Sequence, residues 1–131
     1  MKDLSDCIVL VVDDTETNID ILMDILAEDY DVTVAMDGEG ALEAVEEDTP
    51  DLILLDIMMP DMDGFEVCKQ LKDNPDTAGI PVIFLSALAE EEDKQKGFDL
   101  GAVDFLTKPF DPAEIQTKVK QHLLKRMDGE S

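Results

Sequence analysis

Two kinds of apolar pattern alternate along the chain. Continuous β-rich runs occur at CIVLVV (residues 7–12), LILL (52–55) and IPVIFL (80–85). Runs of this kind, bounded by polar or turn residues, suit inner strands covered on both faces. DVTVAM (31–36) alternates and is β-branched, and AVDFLT (102–107) is a short apolar run, so each predicts a further strand. Between them apolar residues recur at helical spacing: Ile19, Leu22, Met23 and Leu26, then Ala41, Leu42 and Val45, then Phe65, Val67, Cys68 and Leu71. Thr15 or Thr17 is the expected cap of the first helix. EEEDKQKGFDLG (90–101) predicts the most polar helix, with Gly101 as its stop, and DPAEIQTKVKQHLLKRM (111–127) a terminal helix capped by Asp111 with Pro112 at its first position.

Strict alternation of five strands and five helices implies right-handed crossovers. The expected architecture is therefore α/β, a single doubly wound five-stranded parallel sheet with helices on both faces. A length of 131 residues predicts one domain, with an ordered core over about residues 5–127 and a frayed tail at Asp128–Ser131. No apolar run approaches a membrane span, and the start MKDLSDCIVLVVDD lacks the features of a signal peptide, so the expected location is cytoplasmic. Thirty-three acidic residues against ten basic give a formal charge of -23, which repels nucleic-acid phosphates and anionic lipid. Neither nucleic acid nor membrane is an expected partner. Cys7 and Cys68 form no C-x-x-C pair and are expected to be core thiols.

The chemistry gathers at the strand ends. In a parallel α/β sheet the C-terminal ends of the strands share one rim, and Asp13, Asp14, Asp56, Ser86 and Lys108 all fall there. An isolated Asp at a strand end is more often only the start of a loop, and Asp13-Asp14 alone could be helix caps. Three carboxylates brought together, however, repel one another and call for a divalent cation. An oxygen-only donor set points to Mg²⁺. A carboxylate beside such a cation, with a hydroxyl and an ammonium alongside, can receive a phosphoryl group, with Asp56 as nucleophile.

VVDD, DLILLDIMMPDMDG, IPVIFLSA and FLTKPF, in that order and spacing, resemble the receiver domain of two-component response regulators, the family of the chemotaxis response regulator. The resemblance covers nearly the whole chain. It implies the flavodoxin-like strand order 2-1-3-4-5, a phosphoryl group accepted by Asp56, and Mg²⁺ held by Asp13, Asp14, Asp56 and the backbone carbonyl of Met58. It also implies that Ser86 and Lys108 contact the phosphoryl group, that Ser86 and Phe105 act as the switch pair, and that Lys108-Pro109 is a peptide bond usually cis in the family. The implied partners are a sensor histidine kinase or phosphotransfer protein and a downstream effector. A homodimer could form through the face made by Glu90–Leu100, Val103–Thr107 and Pro112–Met127. The expected role is that of a phosphoacceptor and not of an enzyme acting on other molecules.

Two other readings compete. A haloacid dehalogenase-type enzyme resembles the strand-ending Asp but carries a second Asp two residues later, where Met58 stands. A phosphate-independent docking module needs no acceptor at all, against which the intact set of acceptor residues argues. Met58 and Leu88 match positions that modulate loss of the phosphoryl group in the family, and both are apolar, so slow autodephosphorylation is expected. His122, the only histidine, is far from the rim in sequence and is expected to be solvated. The phrases TETNIDILMDIL and DIMMPDMDGFEVCKQLK also resemble receivers joined to cyclic-dinucleotide enzymes or to hybrid kinases.

Overall fold

The computed structural model describes residues 4–59, 62–86 and 91–127. After a short 3₁₀ turn at Leu4–Asp6, the elements are β1 (Ile8–Val12), α1 (Glu16–Leu26), β2 (Asp31–Ala35), α2 (Gly38–Glu47), β3 (Leu52–Asp56), α3 (Gly64–Asp73), β4 (Val82–Ser86), α4 (Glu91–Asp99), β5 (Asp104–Thr107) and α5 (Pro112–Met127). The strands form one sheet in the order β2-β1-β3-β4-β5, and every neighbouring pair is parallel. This is the doubly wound architecture and the strand order expected from the sequence.

The apolar runs are continuous because both faces of the inner strands are covered. Every residue of β3 and β4 is buried. Leu10, Val12, Ile53, Leu55, Val82, Phe84 and Phe105 face one layer, where they pack with Ala41 and Val45 of α2 and with Phe65, Val67, Cys68 and Leu71 of α3. Val9, Val11, Leu52, Leu54, Ile83, Leu85 and Leu106 face the other, against Ile19, Leu22 and Leu26 of α1 and Ile115, Val119 and Leu123 of α5. Alternation along each strand thus sends successive side chains to opposite layers. Both cysteines are buried, as core thiols should be.

Helix starts follow acidic caps. Asp37 accepts from the N–H of Gly40, Asp63 from that of Glu66, and Asp111 from that of Ala113. The first helix departs from expectation: Thr15 occupies the capping position but its side chain makes no capping bond, and Thr17 lies inside the helix. The reason is local, since the Thr15 hydroxyl turns to Asp14 instead, donating to Asp14 Oδ1 at 3.4 Å. Gly101 ends α4 as expected, at φ 107°, with its N–H donated to Phe98 O and the next N–H, of Ala102, to Gly97 O. The expected starting residue of that helix, Glu90, and the tail at Asp128–Ser131 lie outside the described residues.

His122 is not solvated. It is 8% exposed, and its Nε2 lies 3.0 Å from Asp104 Oδ2. Helical spacing explains this, because Ile115, Val119, His122 and Leu123 share the inner stripe of α5, which places His122 at the seam with β5. Burial pushes the Asp104 carboxyl up, but the bonds from His122, the Phe105 N–H and Lys118 outweigh it and hold the group below the usual carboxylate range. Such a group adds stability above its ordinary pKa and loses it as pH falls through the depressed value. Replacing His122 with Ala is expected to cost about 1–2 kcal/mol of stability at neutral pH. Denaturant melts should show that cost narrowing once the pH drops below the ordinary carboxylate range.

Candidate functional site

The order of the sheet reverses between β1 and β3, which opens a crevice beyond their C-terminal ends. Asp13 follows β1 directly and Asp56 is the last residue of β3, so the two carboxylates meet across neighbouring strands. Asp13 is 0% exposed and Asp56 2%, whereas Asp14 is exposed on the rim. The three side chains each offer an oxygen within 4.8 Å of the others. Lys108, just past β5, brings its Nζ to 3.4 Å from Asp13 Oδ2 and 3.4 Å from Asp56 Oδ1.

Each carboxylate is held by short local bonds. Asp13 Oδ1 accepts from the Thr15 N–H at 2.9 Å and from Asn18 Nδ2 at 3.4 Å. Asp56 Oδ1 accepts from the Met58 N–H at 3.2 Å. The other Asp13 oxygen, Oδ2, is buried and makes no hydrogen bond, although Lys108 stands within ion-pair range. A buried carboxylate oxygen in that condition is costly. A hard divalent cation would relieve the cost, and an all-oxygen donor set fits Mg²⁺ better than a soft metal.

Burial and the neighbouring Asp13 charge push the Asp56 carboxyl up to about 6, even though Lys108 and the Met58 N–H pull the other way. Its loop is held close by Gly64: a Cβ there would lie 2.3 Å from the Asp56 carbonyl oxygen and 2.9 Å from the Ile57 Cα. Only glycine allows α3 to start so near the strand end.

The remaining expected residues take the following places. Ser86 is buried at the end of β4, one strand over from Asp56, and its carbonyl accepts from the Lys108 N–H. The Lys108-Pro109 bond is cis. Phe105 lies inward, its ring centroid 5.5 Å from that of Phe84 and 5.3 Å from that of Phe98. Met58 points its side chain outward, at 63% exposed. Leu88 lies outside the described residues. Sequence reasoning missed Asn18 as a partner of Asp13, although an amide in the first turn after a strand-end Asp was the available signal. The structure also gives Gly64, the last residue of the DMDG segment, the close approach behind Asp56.

The chain matches the model of the family described as "Response regulator receiver domain" over residues 9–120. It belongs to the response regulator receiver family. The receiver is 50% identical over 113 residues to the response regulator PleD of Caulobacter vibrioides, covering 86% of this chain and 25% of that one. It is 46% identical over 123 residues to a probable cyclic di-GMP phosphodiesterase of Vibrio cholerae, covering 94% of this chain and 28% of that one. The chain thus spans about a quarter of the length of these curated relatives. Among solved structures it is similar to the receiver domain of the sensor histidine kinase PA1611 from Pseudomonas aeruginosa, with a TM-score of 0.82 and 28% identity over 90% of this chain and 98% of that one. That protein has a magnesium ion coordinated in its active site cleft. Receiver domains are signalling domains, and no described helix here is long and apolar enough to cross a membrane.

A raised carboxyl pKa stabilises the fold below the ordinary value of 3.8, and that benefit is lost as pH rises through about 6. Without divalent cation, Asp56→Asn should therefore stabilise the protein at pH 8 by roughly 2 kcal/mol. The gain should fade below about pH 6, where Asp56 of the parent is already protonated. Urea melts across this range, run in EDTA, make the comparison. Equal stability of the two proteins at pH 8 would mean that the carboxylate pair carries no strain.

Proposed function

We propose that this chain is one receiver domain acting as a phosphorylation-dependent signalling switch in the cytoplasm. The observation that carries this reading is the meeting of Asp13, Asp14 and Asp56 with Lys108 at one crevice. In the proposed reaction an Asp56 carboxylate oxygen attacks the phosphorus of a kinase or phosphotransfer-protein phosphohistidine. A P–O bond forms, the P–N bond breaks, and the imidazole nitrogen keeps the electron pair and takes up a proton.

Asp13, Asp14, Asp56 and the backbone carbonyl of Met58 would hold Mg²⁺, which when bound neutralises charge on the carboxylates and the phosphoryl oxygens. Lys108 gives a second positive charge at the same place, and the Ser86 hydroxyl donates to a phosphoryl oxygen. In the switch that follows, Ser86 and Phe105 pass the change to the face formed by α4, β5 and α5, where an effector or a second copy of the chain binds with different affinity in the two states. The name of one curated relative, the probable cyclic di-GMP phosphodiesterase, supports an output linked to cyclic dinucleotides, carried by a part of that protein that this chain does not match.

The test is the intact mass after incubation with acetyl phosphate. One added phosphoryl group that needs Mg²⁺ and is absent in Asp56→Asn is expected. Folded protein that never gains mass would support the phosphate-independent docking module instead.

The phosphoryl group should also be long-lived, because the Met58 side chain beside Asp56 is apolar and cannot orient a hydrolytic water. Met58→Asn should shorten the lifetime several-fold, as followed by loss of the added mass over time. An unchanged lifetime would assign the slow step to some other residue.

A further inference from the structure

Basic residues are scarce in this chain, ten against thirty-three acidic, yet three of them line a single cavity. The cavity has a volume of about 960 Å³ and is lined by Lys72, Ala78, Gly79, Pro81, Val103, His122, Lys125 and Arg126. It lies at the sheet edge opposite the carboxylate cluster, since Pro81 precedes β4 and Val103 precedes β5. No Asp or Glu is among the described lining residues.

Two of the cations are held in place. Lys72 Nζ donates to the carbonyls of Ala78 at 2.9 Å and Ile80 at 2.8 Å, which leaves one ammonium proton for another acceptor. Arg126 Nη1 donates to the Gly79 carbonyl at 2.9 Å, and its Nε stands 3.8 Å from Asp51 Oδ1. Among the described residues Lys125 makes no hydrogen bond or ion pair, and His122 faces away toward Asp104. Burial lowers the Lys72 pKa, and the Arg126 charge pushes it the same way, so the two cations repel each other.

Helix dipoles favour cations in last turns, and Lys72, Lys125 and Arg126 stand in the last turns of α3 and α5. That effect alone does not explain the arrangement. α1 and α2 carry no basic residue in their last turns and α4 carries Lys96, but among the described residues it is the basic ends of α3 and α5 that line one cavity. The floor, meanwhile, is apolar: Val103 is 39% exposed, and Pro81 and Ala78 lie beside it. A cationic rim over an apolar floor suits an anion that carries a hydrophobic ring, and the volume lies within the usual range for small-molecule sites.

We infer that the Lys72–Lys125–Arg126 cavity binds an organic phosphate, a nucleoside phosphate in particular, with the phosphates on the three cations and the base against Pro81 and Val103. This site is separate from the phosphoacceptor crevice and independent of the function proposed above.

The test is an NMR titration of the full chain with ATP in EDTA, with inorganic pyrophosphate titrated in parallel. Without divalent cation the carboxylate cluster repels ATP, so the titration reports on this cavity alone. The expected result is saturable shifts at residues 72, 78–81, 103 and 122–126, with ATP bound at least several-fold more tightly than pyrophosphate. Lys125→Glu, an exposed change that leaves the core intact, should weaken ATP binding about tenfold or more, the effect of reversing one charge beside the bound phosphates. Equal affinity for pyrophosphate and ATP would remove the ring from the assignment and overturn it. Absence of shifts at these residues, or binding indifferent to Lys125→Glu, would overturn it as well.

Discussion

Two buried carboxylates facing one ammonium set the terms for the rest of this molecule. Asp13 and Asp56 sit at the reversal point of the sheet, both almost fully buried, with Lys108 equidistant from them. Pairing of this kind is weak evidence for stability, because desolvation of three charged groups opposes their attraction. One lysine cannot satisfy four carboxylate oxygens, and Asp13 Oδ2 is left without a hydrogen bond. The fold keeps the arrangement because the two apolar layers on either side of the sheet hold β1 and β3 in register whatever the carboxylates prefer. The strain is local and its support is global, a pattern common at functional sites.

The same layers connect the crevice to the far face. β4 and β5 pair Phe84 with Phe105 and Ser86 with Thr107, so the residue nearest the crevice and the ring proposed to move belong to one short ladder. Phe65, Phe84, Phe105 and Phe98 then run in edge and tilted contacts from α3 across one face of the sheet to α4. Gly97 completes the packing, for a Cβ there would come within 2.6 Å of the Phe105 ring. α4 can lie this close only because it presents glycine at that turn. A displacement of the Phe105 ring would therefore act on α4 directly, and the proposed switch needs no longer chain of contacts.

What was legible in the sequence follows from which forces act locally. The strands, their parallel order and the rim of Asp13, Asp14, Asp56, Ser86 and Lys108 could be read because a buried strand needs a continuous apolar run, and crossover topology brings all strand ends to one edge. Acidic caps at Asp111 and the stop at Gly101 were equally visible, since each depends on a single residue's chemistry. The first helix cap was not, because the Thr15 hydroxyl can donate to a neighbouring carboxylate instead of accepting from the helix, and spacing does not say which wins. His122 was misread because a lone polar residue in a basic helix looks solvated until the register of α5 against β5 is known. The cationic cavity was invisible for the same reason, as its lining residues are separated by up to 54 positions, from Lys72 to Arg126.

The two ends of the sheet are chemical opposites, and the topology explains much of this. In a parallel β-α array each helix begins where a strand ends, so positive helix N-termini gather at the rim that holds Asp13, Asp14 and Asp56, and negative C-termini gather at the other edge. Anions are favoured at the first and cations at the second. With a formal charge of -23, background repulsion also opposes any further negative group that approaches either end. At the carboxylate rim a cation and Lys108 can overcome that repulsion, and at the opposite edge only fixed cations grouped around a cavity can. A protein this acidic gains nothing in solubility by concentrating three of its ten basic side chains in one concave place. The concentration makes physical sense when an anion occupies the space between them.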